Sequence, residues 1–98
     1  MNDKANEWLA FARRELQSAG ILLREGIYSH VVFHVQQCVE KCLKAVLAYQ
    51  AKSPPRTHSI ADLLKLVPVP FRSTLPDNLV QLDVIYTSAR YPFTLEPV

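Results

Sequence analysis

Four side chains of the kind that bind transition metals recur at intervals of four residues in one uninterrupted stretch of this chain. Imidazole nitrogens and thiolates at helical spacing are able to chelate an ion such as zinc. The set winds gradually around a helix, however, and no acidic third ligand accompanies it. We therefore predict no metal ion and no cofactor, with partly exposed histidines and core thiols instead. The four residues are His30, His34, Cys38 and Cys42.

Two further residues, Arg90 and His58, are candidates for chemistry. Arg90 is the single residue best suited to bind a phosphate, because a guanidinium donates paired hydrogen bonds to phosphate oxygens. It also ends a predicted helix, where a positive charge is favourable, so a capping contact is the alternative. His58 precedes another predicted helix, and we expect a structural hydrogen bond there, with acid or base catalysis as the alternative. Phosphate-binding loops rich in glycine are absent, since the chain has only 2 glycines.

Polar side chains also form a strip along the apolar stretch that runs from Phe33 to Tyr49. Within it, Glu40 and Lys44 stand four residues apart in the order that favours an ion pair, which a plain surface pair would explain. The strip is either a solvated edge or a surface that presents these groups to a ligand. Gln36 needs a hydrogen-bond partner if it is covered, from a neighbouring helix, a second subunit or a ligand. The strip consists of His34, Gln36, Gln37, Glu40, Lys41 and Lys44.

A first long helix is predicted to precede this strip. Asn2 or Asp3 is suited to cap it, and its apolar periodicity continues to about Arg24. Gly26 then stands where a helix commonly ends in the left-handed conformation. The apolar face of this helix is Ala5, Trp8, Leu9, Ala12, Leu16, Ala19, Leu22 and Leu23.

The second long helix carries the strip itself. Ser29 is suited to cap it, and the pattern extends to about Gln50 before Pro54 and Pro55 break it. Its apolar arc covers more than half of the circumference, which is typical of a mostly buried helix. The arc consists of Val32, Val35, Cys38, Val39, Cys42, Leu43, Ala45, Val46, Leu47 and Tyr49.

Shorter helices are predicted in the rest of the chain. A third helix begins at Thr57 or Ser59, where Ser59 and Asp62 stand at capping-box spacing, and Pro68 stops its apolar run. After a linker over 69–73, Thr74 would cap a fourth helix with Pro76 in its first turn. Because strands have no good candidate, we predict an all-α, up-and-down bundle of about four helices whose first two form a long antiparallel hairpin. The apolar face of the fourth helix is Leu75, Leu79, Leu82, Ile85, Tyr86 and Ala89.

Length and composition indicate one globular domain over residues 1–98. Of the 98 residues, 49% are hydrophobic and 20% are charged, which is too apolar for a disordered chain. No run is long enough for a membrane-spanning helix, and the first residues do not resemble a secretory signal, so a cytoplasmic setting is expected. The net charge of +2 permits an anionic partner, but the basic residues do not form the dense face expected for sequence-specific DNA binding.

Several short motifs, taken in order, resemble the HEPN domain family across nearly the entire chain. The most specific combination is a Gln-Gln-x-x-Glu-Lys helix followed by Thr-His and then by Ala-Arg-Tyr-Pro. The motifs are Trp8 in an alanine-rich helix, Gly26-Ile27-Tyr28-Ser29, Phe33 with Gln36-Gln37 and Glu40-Lys41, Thr57-His58-Ser59-Ile60, and Tyr86 with Ala89-Arg90-Tyr91-Pro92.

This resemblance implies an α-helical bundle that is commonly a homodimer in bacteria and archaea. Such proteins are often encoded beside a minimal nucleotidyltransferase, with which they form a toxin and antitoxin type of system. We expect a nucleotide or RNA to bind at a face shared in the dimer, with Glu40 orienting Lys44. The residues expected to line that site are Gln37, Glu40, Lys41, Lys44, Arg90 and Tyr91.

The chain departs from the family pattern in two respects. Many members are metal-independent ribonucleases with an Arg followed four to six residues later by a His, but no His follows Arg90. We therefore expect a binding or accessory protein, with a ribonuclease that uses Arg90 and His58 as the alternative. Related chains also continue beyond Arg-Tyr-Pro into a further helix, whereas this sequence stops at Val98, so that helix is missing or not included. An open apolar stripe would then favour self-association.

Overall fold

Two long helices dominate the computed structural model of this chain, which describes residues 2–84 and residue 87. Helix α1 spans Asp3–Arg24 and helix α2 spans Tyr28–Tyr49, and the two pack against each other as an antiparallel hairpin. Two short helices follow, α3 at Ile60–Leu64 and α4 at Val69–Arg72, and then a 3₁₀ helix at Leu79–Gln81. The described residues contain no strand, and the predicted all-α class with its long first hairpin is confirmed.

Helix α1 has the ends that the sequence predicts. The side-chain oxygen of Asn2 accepts a hydrogen bond from the backbone N–H of Ala5 at 2.8 Å, which caps the first turn. At the other end Gly26 adopts a φ of 75°, a left-handed conformation that glycine enters without a side-chain clash. The N–H of Ile27 then donates to the carbonyl of Leu22 at 2.9 Å and closes the last turn.

Small side chains bring α1 close to α2. The most deeply buried residues of α1 are Ala5, Ala12 and Ala19, which recur every seven residues and therefore lie on one side of the helix. Alanine leaves no bulk between the backbones, so two helices are able to approach each other closely. The amide of Asn2 also donates to the carbonyl of Ala48 at 2.8 Å, which ties the start of α1 to the end of α2.

The predicted cap of α2 is wrong. Helix α2 begins at Tyr28 with Ile27 at the N-cap position, no side chain caps it, and the hydroxyl of Ser29 contacts Nδ1 of His30 at 3.2 Å instead. The reason is the short connection, because the turn that ends α1 leads directly into α2 and leaves Ser29 inside the first turn.

The core of the domain lies between α2 and α3. It consists of large side chains that are at most 3% exposed, and Ser59 caps α3 as predicted by accepting from the N–H of Asp62 at 3.1 Å. The buried core residues are Leu43, Leu47, Ile60, Leu63 and Val67.

The segment that follows the core differs from the prediction. Residues 69–73 were expected to be a linker, yet Val69–Arg72 form a helical turn, with Pro70 in its first turn where a missing N–H costs nothing. Thr74 does not cap the next helix, since its hydroxyl donates to the carbonyl of Phe71 at 2.7 Å. After the 3₁₀ helix, residues 82–84 and 87 are helical. The predicted positions Ile85, Tyr86 and Ala89 lie outside the described residues.

Part of the predicted apolar arc of α2 faces outward. Val32 and Tyr49 are 38% and 62% exposed, and Val35 and Cys42 are partly exposed. On α1 the predicted core residues Leu16 and Leu23 are 59% and 56% exposed. Both lie on the same side of α1 as Leu9, because the three leucines are seven residues apart. Leu9 in turn lines an apolar groove together with Cys42 and Tyr49. We call this surface the open face; it comprises Leu16, Leu23, Val32, Val35, Cys42 and Tyr49.

Candidate functional site

A buried carboxylate, that of Glu40, is the centre of the most densely bonded polar group in the described chain. Its side chain is 0% exposed, and Oε2 accepts from Nζ of Lys41 at 2.7 Å and from Nζ of Lys44 at 3.2 Å. The other oxygen, Oε1, accepts from Nδ1 of His58 at 3.0 Å. We call these four residues the Glu40 cluster.

The order of residues along α2 accounts for most of this geometry. Lys44 follows Glu40 by one helical turn, so the two side chains lie on the same side of the helix. Lys41 is adjacent in sequence and reaches the same oxygen from the flank. The interpretation of Glu40 and Lys44 as a plain surface ion pair is wrong, because the two residues are 0% and 5% exposed.

Gln36 brings His58 to the cluster. The Gln36 side chain is 0% exposed, and its Nε2 donates to the backbone carbonyl of His58 at 2.9 Å. Its own oxygen accepts from Nε2 of Gln37 at 2.8 Å, so the buried amide is satisfied at both ends. The partner that the sequence required for Gln36 is therefore the segment before α3, within the same chain.

The charges of the cluster do not balance. One carboxylate is bonded to two ammonium groups, which leaves an excess of one positive charge before any charge on His58 is counted. Burial raises the pKa of the Glu40 carboxyl, but hydrogen bonds from Lys41 and His58 and the charges of both lysines outweigh burial. The pKa is held below its ordinary 4.5, so Glu40 is ionised at neutral pH.

Trp8 of α1 lies beside the two lysines. The ammonium nitrogens of Lys41 and Lys44 are 5.6 Å and 5.3 Å from the centroid of its ring, within the range of a cation–π interaction. Sequence periodicity assigned Trp8 only to the apolar face of α1. Its role beside the lysines was missed, because a helical period does not reveal which side chains of another helix lie opposite.

Asp83 fixes the other side of the segment that carries His58. Its Oδ1 accepts from the N–H of Ile60 at 2.7 Å, and its Oδ2 accepts from the N–H of Ala61 at 3.1 Å and the hydroxyl of Ser59 at 3.3 Å. An acidic residue at a helix N-terminus is a recognisable signal, but this one is 22–24 residues away in sequence and was missed.

Solvent reaches the cluster mainly at His58. Its side chain is 58% exposed, whereas the side chains of Lys41 and Lys44 are 17% and 6% exposed. A groove of about 200 Å³ lies next to it, lined by His58, Ser59, Asp83 and Thr87. The cluster is therefore open to solvent at His58 and, to a smaller degree, at Lys41, and we call this exposed part its open edge.

The structure brings four of the predicted site residues together. Glu40, Lys41 and Lys44 bond directly, and Nε2 of Gln37 lies 3.5 Å from Oε1 of Glu40. His58, which was weighed only as an alternative catalytic residue, belongs to the same group. The predicted residues Arg90 and Tyr91 lie outside the described residues.

The candidate metal ligands are arranged differently from a metal site. Within residues 2–84 and 87, no three His, Cys, Asp or Glu side chains are grouped to hold an ion. His34 is bonded to Glu15 across the hairpin. Cys38 and Cys42, which were predicted to be core thiols, are partly exposed. The partial burial of Cys38 still raises the pKa of its thiol to about 11, and neighbouring Cys42 contributes to the shift.

Comparison with known families agrees with the motifs described above. The family model for the HEPN domain matches residues 5–97, which is nearly the whole chain. The chain belongs to the HEPN domain family. This assignment connects the protein with nucleotides and RNA. No match was found among curated proteins or among solved structures.

Proposed function

We propose that this HEPN protein is a binding module that holds the phosphate of a nucleotide or RNA at the open edge of the Glu40 cluster. The observation that carries the proposal is the sharing of one buried carboxylate by Lys41 and Lys44. Because the two lysine charges exceed the charge of Glu40, an anion is favoured beside Lys41, the more exposed of the two lysines. His58 donates to the other oxygen of the same carboxylate and is the most exposed member of the cluster.

Preorganisation is the advantage of this arrangement. A lysine on the surface loses much side-chain freedom when it binds a phosphate, and this lowers its affinity. Here Glu40 and Trp8 already hold the ammonium groups in place, so less freedom remains to be lost. We propose that Gln37 belongs to this site and that Arg90 and Tyr91 complete it, as the family resemblance implies.

Assembly is a second part of the proposal. We infer a single domain over residues 1–98 that forms a homodimer, and the exposed leucines and valines of the open face support self-association. The family resemblance further suggests a minimal nucleotidyltransferase as partner, in a prokaryotic toxin and antitoxin type of system in the cytoplasm. No helix in residues 2–84 has the length and apolar character needed to cross a membrane.

The binding proposal is tested by titrating the protein with nucleotides and with fluorescein-labelled single-stranded RNA. Substituting Lys41→Gln removes one phosphate contact, and we expect affinity to fall by about fivefold to tenfold, the equivalent of one charged contact. Lys65→Gln is the matched control, since Lys65 is exposed and lies outside the cluster. Absence of binding to every nucleotide and RNA, or equal affinities of both variants, would overturn the proposal.

A second candidate function is suggested by the contact between Glu40 and His58. A carboxylate that accepts from Nδ1 fixes the tautomer of the imidazole and leaves Nε2 as a proton acceptor, as in many general bases. Such a base could take the proton of a ribose 2′-hydroxyl as that oxygen attacks the adjacent phosphorus. The 5′-oxygen would leave with a proton from water, and Arg90 would stabilise the phosphate charge.

Cleavage of RNA in the presence of EDTA distinguishes this ribonuclease from a binder. If His58 is the base, His58→Ala should reduce cleavage by about 100-fold or more, because general base catalysis commonly contributes that much. Exposed His30 provides the matched control, His30→Ala, which should cleave at the unchanged rate. Cleavage that survives in His58→Ala would remove the candidate, and so would the lack of any cleavage by the unaltered protein.

A further inference from the structure

A second concave site lies beside Trp8, where α1 begins and α2 ends. It encloses about 490 Å³, which is in the range of pockets that bind small molecules. None of its residues was singled out as a candidate from the sequence. Its lining includes Lys4, Trp8, Ala48, Ala51, Lys52 and Pro54.

The lining of this pocket combines flat apolar groups with exposed charges. Trp8 and Pro54 are ring-bearing side chains, and Ala48 and Ala51 add only methyl groups. Ala51 adopts a φ of 60°, the left-handed conformation that usually selects glycine at a helix end. An alanine there adds an apolar methyl group to the pocket despite the conformational cost.

The rim of the pocket carries two exposed lysines, Lys4 and Lys52, together with the carboxylate of Asp3. Nζ of Lys4 is 3.7 Å from a carboxylate oxygen of Glu7, and Nζ of Lys52 donates to the carbonyl of Leu66 at 3.3 Å. Exposed contacts of this kind are weak, so both ammonium groups are able to turn towards a ligand.

Trp8 connects this pocket with the Glu40 cluster. The same indole that lines the pocket lies 5.3–5.6 Å from the ammonium nitrogens of Lys41 and Lys44. Those contacts hold the ring in place before a ligand arrives. An aromatic ring held beside lysines is the usual platform on which a base stacks while its phosphate meets positive charge.

We propose that this pocket binds the base of a nucleotide, stacked on Trp8, with the attached phosphate on Lys4 or Lys52. The inference rests on the proposed function, in that it takes the protein to bind nucleotides or RNA. It adds a base-binding site that is separate from the phosphate contacts of the Glu40 cluster. A free mononucleotide and the terminal residue of an RNA strand share this chemistry.

Intrinsic fluorescence reports on the pocket directly, because Trp8 is the one tryptophan of the chain. We expect AMP to quench it to saturation, and adenosine to quench it with about threefold to tenfold lower affinity, since adenosine lacks the phosphate contact. Ribose 5-phosphate, which has no base, should quench less than AMP at saturation, because a phosphate bound at Lys41 disturbs only the ammonium group beside the ring. Quenching by ribose 5-phosphate equal to that by AMP, or no quenching by AMP and RNA, would overturn the inference.

Two further comparisons complete the test. Lys52→Gln should lower the affinity for AMP by about threefold to fivefold, whereas the matched variant Lys65→Gln should bind AMP as tightly as the unaltered protein does. If Lys52→Gln, Lys4→Gln and Lys65→Gln all bind AMP with equal affinity, the placement of the phosphate on Lys4 or Lys52 is contradicted. A short RNA with a 5′-phosphate is titrated beside AMP. The ligand that quenches Trp8 at the lower concentration identifies the source of the base, either a free mononucleotide or the end of an RNA strand.

The outcomes also separate this inference from the proposed function. If calorimetry detects RNA or nucleotide binding that Lys41→Gln weakens, while AMP quenches Trp8 no more than ribose 5-phosphate does, the pocket inference fails and the proposed function stands. If calorimetry detects no binding of any of these ligands, both fail. Quenching by AMP that Lys52→Gln weakens, with no effect of Lys41→Gln, supports the pocket and contradicts the phosphate site at the Glu40 cluster.

Discussion

The two sides of helix α2 differ from those of an ordinary amphipathic helix, because polar side chains are buried beside apolar ones on one side and large apolar side chains are exposed on the other. The side turned into the domain carries Gln36, Glu40 and Lys44, which are 0%, 0% and 5% exposed. The outward side carries Val32 and Tyr49, at 38% and 62% exposed. A helix of a globular protein usually buries its apolar stripe and exposes its charges. Here polar groups are buried with partners, while apolar side chains form much of the open face.

The difference shows what each side requires. A buried charge is tolerated only if other groups satisfy it, and the Glu40 carboxylate has three bonded partners within the chain. The buried carboxylate is therefore satisfied by groups of the same chain. The apolar side chains of the open face are instead exposed to water, and such an apolar area is stabilised by contact with another surface. One side of α2 supports the proposed site, and the other supports the proposed self-association.

Removal of the central carboxylate should produce the largest effect. Glu40→Ala leaves Lys44 buried without its counter-ion, and breaking a buried ion pair in this way typically costs about 3–5 kcal/mol. Urea unfolding followed by circular dichroism measures the loss. The control is Glu7→Ala in the exposed pair with Lys4, which should change stability by less than about 0.5 kcal/mol. Similar losses in both variants would show that the Glu40 cluster does not hold the fold together.

Acid should weaken the inward side without any substitution. The folded pKa of Glu40 lies below its ordinary 4.5, so its stabilising contribution is fully present above pH 4.5 and is lost as the pH falls through the folded value. The unfolding free energy should therefore decrease below pH 4.5, and the decrease should be smaller in Glu40→Gln, which does not titrate. An identical pH dependence of both proteins would contradict the pairing of this carboxylate.

The open face should respond to charge through assembly rather than through folding. Leu16→Lys places an ammonium group on a side chain that is 59% exposed, so we expect little change in the stability of one chain. If this face joins two copies, dimer dissociation should increase by about tenfold or more, since a buried lysine in an interface is costly. Sedimentation equilibrium measures the change. Val69→Lys, at a residue 62% exposed on α4, is the matched control and should leave the dimer intact.

The smallest effect is expected at the other pair of a histidine with a carboxylate. Glu15 and His34 bond across the hairpin, but their side chains are 24% and 29% exposed. Water and salt screen such a pair, so Glu15→Gln should cost about 0–1 kcal/mol, far less than Glu40→Ala. Thermal unfolding at low and high salt provides the measurement. A loss as large as that of Glu40→Ala would mean that burial does not decide the strength of these pairs.

Local signals in the sequence predicted the fold where local contacts determine it. Asn2, Gly26 and Ser59 end or begin their helices as predicted, because capping hydrogen bonds join residues a few positions apart. Ser29 does not cap α2, because the short turn before it places Ser29 inside the helix. Thr74 does not cap a helix either, because its hydroxyl donates to the carbonyl of Phe71 in the preceding helical turn. The same limit applies to α4, a single turn that propensity alone does not reveal.

The site was only partly predictable for a related reason. The helical period of the sequence identified the polar strip of α2. It does not show which side of the helix is covered by the other helices and segments of the chain. The residues that cover it are distant in sequence. His58 is 18 residues from Glu40, and Asp83 fixes α3 across 22–24 residues. Trp8 reaches the lysines from another helix. Only the packed chain brings these groups together.

The salt dependence of RNA binding tests the central claim, that the lysines around Glu40 meet phosphate. Each phosphate contact with a single strand contributes about 0.7 to the slope of log affinity against log salt. We therefore expect the slope of Lys41→Gln to be smaller in magnitude by about 0.7 than that of the unaltered protein, with Lys65→Gln retaining the full slope. Equal slopes for all three proteins would contradict a phosphate site at the Glu40 cluster.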